Sequence, residues 1–300
     1  MKSMNFLLGV SLLAAVLGCS KVETPENIPD KGEESTSEVY KVVAHRGGYL
    51  ECGSPANSIA SLKYAIGQRC YAAECDIVLT KDNKVVVQHP SRGCYLNGLV
   101  SFEHTLAEIR SAGTLANGEK IPTLEDYLGV LTSKSLNPLK MKIYIDVKRL
   151  VKDSDGDGNY ETNLDAAYSI NACLKACEII KSMDAEAYCE FLIPTGTDIF
   201  LAVRDKVIND YKISLGWATC TSPDKYGKAF ANLSYTKIFG SSTSFGPMDY
   251  VNASVPLGIY GTETDAQMDL VLPFYSKMKS ITTEYPRLLI SKIKKAGYAK

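Results

Sequence analysis

Three histidines occur in this chain, and two of them, His45 and His89, directly follow the β-branched runs VVA and VVVQ, where strands should end. Between them Glu74 and Asp76 stand two residues apart in YAAECDIVL, a spacing that on a strand turns both carboxylates to one face. Asp146 and Lys148 repeat that spacing at the end of IYIDVK, and Arg46 follows His45. Imidazoles move protons near neutral pH, paired carboxylates suit a hard divalent cation, and Arg and Lys suit an anionic substrate. A lone loop histidine is usually a hydrogen-bonded structural residue. Two histidines and two charged pairs, all at strand ends, point instead to a site. Burying Glu74 beside Asp76 is costly through desolvation and like-charge repulsion unless a cation balances them.

The elements that must position these residues alternate. Strands are predicted near Tyr40–Ala44, Ala72–Leu79, Lys84–Gln88, Met141–Val147, Ala187–Ile193, Lys212–Ala218, Thr236–Gly240, Val255–Tyr260 and Lys279–Thr283. Helical patterns lie between most of them, at Ser58–Arg69, Thr123–Thr132, Asn163–Met183, Thr197–Asn209, Asp265–Lys277 and Pro286–Ala296. With Lys84–Gln88 taken as an extension of the second strand, the count is close to eight. The fold expected is α/β, a closed (β/α)₈ TIM barrel; no Gly-rich dinucleotide fingerprint follows the first strand. Chemistry in such a barrel gathers at the C-terminal strand ends, where all the residues named above fall.

A net charge of −1, from 33 basic and 34 acidic residues, gives no general attraction for nucleic acid and no polybasic membrane surface. The apolar run Phe6–Leu17 is too short for a comfortable transmembrane helix and suits a signal peptide over residues 1–19. Val16-Leu17-Gly18-Cys19 resembles the lipobox of bacterial lipoproteins, which implies lipidation of Cys19 and attachment to a cell-envelope membrane. An ordinary secretory signal would leave the protein secreted or periplasmic. Residues 20–38 are rich in Glu, Ser, Thr and Pro without apolar periodicity and read as a flexible tether to one domain over 39–300.

VVAHRGG, Pro55-Ala56-Asn57-Ser58, AAECDIVLTKDNKVVVQH, IPTLEDYL (Ile121–Leu128) and IYIDVK resemble successive motifs of the glycerophosphodiester phosphodiesterase family, and SITTEYPRLL (Ser280–Leu289) is similar to its last-strand Thr-Asp-x-Pro signature. The resemblance is close over Val42–Lys148 and returns at the C-terminal strand. It implies a TIM-barrel phosphodiesterase that uses one divalent cation, calcium or magnesium. His45 and His89 take the two general acid/base places, Arg46 and Lys148 the phosphate contacts, and Glu74, Asp76 and Asp146 the metal-ligand places. The substrate implied is a small phosphodiester, split into an alcohol and a phosphomonoester. In a glycerol diester the adjacent hydroxyl can attack first, giving a cyclic phosphate that water opens.

The chain departs from that pattern where the family has Pro-Glu-Asn-Thr, His-Asp and a Glu ligand; here stand Ala56, His89-Pro90 and Asp146. An aromatic residue of the family's seventh strand, often Trp, is replaced around Ile259-Tyr260. A catalytically inactive barrel that binds a phosphorylated or glycan ligand at the same mouth is therefore the alternative. A phospholipase acting on intact lipid would need an apolar rim, which the sequence does not display. Asp153, Asp155 and Asp157, followed by Gly158, have the D-x-D-x-D-G spacing of a calcium loop, although position twelve is Leu164; a polar turn is the alternative. Of nine cysteines, Cys52 and Cys94 are the disulfide pair to test first, and most others read as small buried residues. His104 is expected on the exposed face of a short helix, without a catalytic role.

Overall fold

Among the described residues nine strands form one sheet: β1 (Tyr40–Ala44), β2 (Cys70–Leu79), β3 (Val85–Val87), β4 (Lys142–Val147), β5 (Cys189–Ile193), β6 (Ser214–Trp217), β7 (Phe230–Ser234), β8 (Leu257–Tyr260) and β9 (Ser280–Thr283). The hydrogen-bonded order β1-β9-β8-β7-β6-β5-β4-β2 closes through a β1–β2 pairing. All eight of those strands run parallel, which is the (β/α)₈ barrel expected from the alternation. The helices between them are α1 (Tyr49–Cys52), α2 (Ile59–Gly67), α3 (Leu106–Ser111), α4 (Leu124–Leu131), α5 (Ala166–Ser182), α6 (Thr197–Asp205), α7 (Tyr235–Phe239), α8 (Pro247–Asn252), α9 (Asp265–Val271) and α10 (Pro286–Lys295). The computed structural model describes residues 38–89, 99–148, 166–194, 196–241 and 244–298, all in the second of two units, Met1–Thr36 and Ser37–Lys300. The predicted leader with Cys19, tether residues 20–37, Pro90, Cys94 and the Asp153, Asp155 and Asp157 loop lie outside the described residues.

Two expectations are corrected. Thr236–Gly240 is not a strand: Ser234 Oγ accepts the Lys237 N–H at 3.3 Å and starts helix α7, while the strand is the preceding segment, Phe230–Ser234. Lys84–Gln88 does not extend β2. The chain reverses at Asn83, with φ 57°, and β3 runs antiparallel along the end of β2, pairing Val87 with Ile77. Cys52 is a free thiol, as are the other cysteines among the described residues, and Cys70, Cys75, Cys173, Cys177 and Cys189 are buried. His104 is half-buried in the link before α3, where its Nδ1 bonds Val100 O at 3.0 Å.

The helices cover the outside of the barrel with residues such as Leu62, Leu128, Ile180 and Ile293, all fully buried, each contributing about 1.5 to 3 kcal/mol by removal from water. Inside, Val43, Ala72, Tyr144, Leu192 and Phe230 pack together, and Tyr144 OH meets Ser280 Oγ at 2.9 Å. Toward the N-terminal strand ends the interior is filled by Glu190, buried between Lys142 at 2.8 Å and Lys279 at 2.7 Å and bonded by Tyr71 OH. The polar residues left to form a site therefore sit at the other end, on a packed floor.

That floor depends on a missing side chain. A Cβ at Gly216 would fall 2.5 Å from the Phe230 ring and 2.9 Å from Leu192. Gly216→Ala is expected to cost about 1 to 3 kcal/mol by overpacking, read as a lower urea midpoint at unchanged slope. An unchanged midpoint would mean that the interior has slack that these distances deny.

Candidate active site

β1 ends at Ala44 and turns at once through a 3₁₀ turn, His45–Gly47. Arg46 sits at φ 46°, ψ 35°, the left-handed region that costs a residue with a Cβ about 1 to 2 kcal/mol. Two contacts offset this: its N–H donates to Glu74 Oε2 at 2.9 Å, and its Nε lies 3.0 Å from Asp76 Oδ2. Gly47 follows at φ 83°, pressed so close to α2 that a Cβ would lie 2.5 Å from Ser61 Oγ. The turn thus holds His45 and Arg46 against the two carboxylates of β2.

Asp76, fully buried, gathers the surrounding segments. Asn57, at φ 60° just before α2, donates from Nδ2 to Asp76 Oδ2 at 2.9 Å and accepts the Asp76 N–H at 3.2 Å. Ser58 and Ser61 cap that helix start reciprocally. From β4, Lys148 Nζ reaches Asp76 Oδ1 at 2.9 Å and Asp146 Oδ2 at 2.5 Å. Oxygens of Glu74, Asp76 and Asp146 all lie within 4.8 Å of one another, and the three residues are buried. The register pairs Asp76 with Asp146 directly, so the parallel ladder itself sets the cluster.

His89 arrives by the hairpin. Because β3 runs back along β2, the Gln88 N–H donates to Asp76 O at 2.9 Å and His89 is returned to the level of Asp76. A continuing strand would have carried it away. His45 and His89 differ in surroundings. Burial works against charge on His45, but Glu74 and the hydrogen bond to Glu284 outweigh it and hold the imidazole up at about 9. Burial pushes His89 down to about 4, with Lys148 and Arg46 adding to the effect against Asp76.

The carboxylates divide in the same way. Burial and the Asp76 charge push Glu74 up to about 7. Burial would also raise Asp76, but Lys148, Arg46 and His89 keep it below the usual carboxylate range. Asp146 is raised by burial, with Lys148 opposing, and its Oδ1 has no hydrogen-bond partner among the described residues. Lys148, despite burial, is held well above the ordinary lysine value by Asp146, Asp76 and Glu74. Hard oxygen donors with surplus negative charge and one unpartnered buried oxygen fit a calcium or magnesium ion.

Above the cluster opens a cavity of about 220 Å³, lined by His45, Glu74, Asp146 and Lys148 on one side and by Asn232, Tyr260 and Thr282 on another. Of the residues singled out in the sequence, the structure brings together His45, Arg46, Glu74, Asp76, His89, Asp146 and Lys148. Sequence reasoning missed Glu284, whose Oε1 lies 2.6 Å from His45 Nδ1, and the cavity residues Asn232 and Thr282. Asn57 carried a usable signal, since Asn before a Ser-capped helix tolerates the left-handed backbone found there.

Because its folded value is raised, the charge on His45 contributes stability that is complete below its ordinary 6.5 and is lost as pH rises through about 9. In chelator, the melting midpoint of the wild type is therefore expected to fall between pH 7 and 9.5 more steeply than that of His45→Gln. Parallel profiles would show that the carboxylates do not hold this imidazole charged.

The sequence signature of the glycerophosphoryl diester phosphodiesterase family matches residues 45–190. A glycerophosphodiester phosphodiesterase of Bacillus subtilis (strain 168) is 31% identical over 141 residues; the alignment covers 41% of this chain and 45% of that relative, so it spans less than half of the relative's length. Among solved structures, a glycerophosphodiester phosphodiesterase from Parabacteroides distasonis ATCC 8503 superposes with a TM-score of 0.68 at 23% identity, over 86% of this chain and 98% of that one. A phosphodiesterase from Oleispira antarctica, solved with the product sn-glycerol-3-phosphate, superposes with a TM-score of 0.62 at 17% identity, over 85% and 97%. These two likenesses establish the barrel fold. Over the stretch that builds the site, from His45 to Glu190, this chain is similar to the glycerophosphoryl diester phosphodiesterase family.

Proposed function

We propose that the chain hydrolyses glycerophosphodiesters or related small phosphodiesters to an alcohol and a phosphomonoester, with a divalent cation on Glu74, Asp76 and Asp146. The observation that carries this reading is the set of three buried carboxylates within 4.8 Å of one another beside His45 and beneath an open cavity. The family match over residues 45–190 and the name of the B. subtilis relative support the reaction class. When bound, the cation would neutralise the non-bridging oxygens of the phosphate.

The side chains supply the rest. Arg46 and Lys148 bring fixed positive charge to the place where the phosphate must sit. One imidazole takes the proton of the attacking hydroxyl, from water or from the neighbouring alcohol of the substrate. The other gives a proton to the alkoxide as its bond to phosphorus breaks. Residues 1–19 are proposed to direct export with lipid attachment at Cys19, placing the domain at the cell envelope.

One observation favours the alternative of a barrel that binds a phosphorylated or glycan ligand without turnover. Lys148 already bridges Asp76 and Asp146, so an ammonium can neutralise the pair with no metal present. The two readings separate in one experiment. Purified protein with a panel of glycerophosphodiesters is expected to release phosphomonoester in calcium or magnesium, to stop in chelator, and to lose roughly 10²- to 10⁴-fold in His45→Ala. Calorimetric metal binding with no hydrolysis of any diester would favour the silent barrel.

A further inference from the structure

The two ring nitrogens of His45 have different tasks available to them. Nδ1 lies 2.6 Å from Glu284 Oε1, whereas Nε2 lies 3.7 Å from Glu74 Oε2 and the ring lines the cavity. A carboxylate accepts and does not donate, so the proton in the 2.6 Å contact belongs to Nδ1 whether the imidazole is neutral or charged. That leaves Nε2 as the nitrogen free to serve the cavity.

Glu284 is placed for this contact. It stands between the end of β9 at Thr283 and Pro286, the first residue of α10. Its N–H donates to Glu263 Oε2 at 2.7 Å, Thr283 Oγ1 donates to the same oxygen at 3.4 Å, and Thr283 Oγ1 accepts the Tyr285 N–H at 3.1 Å. Only 14% of the Glu284 side chain is exposed, and its Oε2 is buried with no hydrogen-bond partner among the described residues. A carboxylate with one unpartnered buried oxygen is a cost to folding. Its short contact with His45 is what the arrangement gains.

We infer that Glu284 is the positioning residue of His45, fixing the proton on Nδ1 and aiming Nε2 at the cavity, and that Glu263 holds the Glu284 backbone in place. The kinetic part of this inference rests on the phosphodiesterase reading; the structural part does not. The test uses the full chain labelled with ¹⁵N-histidine. With three histidines, His45 is assigned by comparison with His89→Gln and His104→Gln.

The wild type is expected to show a His45 Nδ1–H that exchanges slowly with water, weakened in Glu284→Asp, which is one methylene shorter, and absent in Glu284→Ala. On a cleaved glycerophosphodiester, Glu284→Ala is expected to lower kcat roughly 10²-fold with KM nearly unchanged, as misplacement of a working group does, and Glu284→Asp to fall between. A His45 proton found only on Nε2 in the wild type overturns the inference, as does an unchanged kcat in Glu284→Ala. A protected Nδ1–H lost in Glu284→Ala, in a protein that cleaves no diester, upholds the positioning and removes the phosphodiesterase reading instead.

Discussion

Asp76 cannot be held ionised in the interior of a barrel unless cations and amides surround it; meeting that demand ties three separate segments to its carboxylate, and a fourth is held at its backbone. Arg46 comes from the turn after β1, Asn57 from the start of α2, Lys148 from the end of β4, and the returning β3 hairpin donates the Gln88 N–H to the Asp76 carbonyl. Removing one partner from a buried ion pair of this kind costs about 3 to 5 kcal/mol, because the remaining charge is left uncompensated. The unfavourable backbone at Arg46 and Asn57 persists because both residues are anchored there. The site is therefore part of the framework, and its residues are also what joins the loops at this end of the barrel.

Around that node the carboxylates are unequal. Asp76 takes up the positive charge of Arg46 and Lys148, while Glu74, two residues earlier on the same face, is left to burial and to the repulsion of Asp76. His45 lies between Glu74 and Glu284 and is drawn toward the charged state against its burial; His89 is driven from it by burial, with Lys148 and Arg46 adding to the effect against Asp76. One cluster thus presents two imidazoles of the same intrinsic chemistry with opposite preferences for a proton. The difference comes from which neighbours the β1 turn and the β3 hairpin place beside each ring.

Much of this was legible in the sequence. The i, i+2 spacing of Glu74 with Asp76 and of Asp146 with Lys148 survives on adjacent parallel strands, and the pairing of Asp76 with Asp146 turns two local patterns into one cluster. What was illegible needed long-range information. Thr236–Gly240 alternates like a strand, and only the Ser234 cap and the pairing of Phe230–Ser234 with β8 show that the strand precedes it. The reversal at Asn83 determines where His89 goes, and a β-branched run reads the same in either direction. Glu284 lies 239 residues from His45; the likeness of its segment to a Thr-Asp-x-Pro signature marks the acidic position, but nothing local names a histidine after another strand as its partner.

Charge arithmetic connects the framework to the proposed chemistry. Among the described residues, the carboxylates Glu74, Asp76, Asp146 and Glu284 meet the cations Arg46, Lys148 and, when protonated, His45. With all of these groups charged, four negative charges against three positive leave one in excess, buried where excess charge is expensive, which is why Glu74 and Asp146 are pushed toward the neutral form. A divalent cation on the triad would turn that into one positive charge, which a phosphodiester monoanion cancels. A second consequence concerns Lys148. With Asp76 and Asp146 both within 2.9 Å of its Nζ, this lysine can keep the fold intact before any cation arrives, so structural stability and metal occupancy need not be the same requirement.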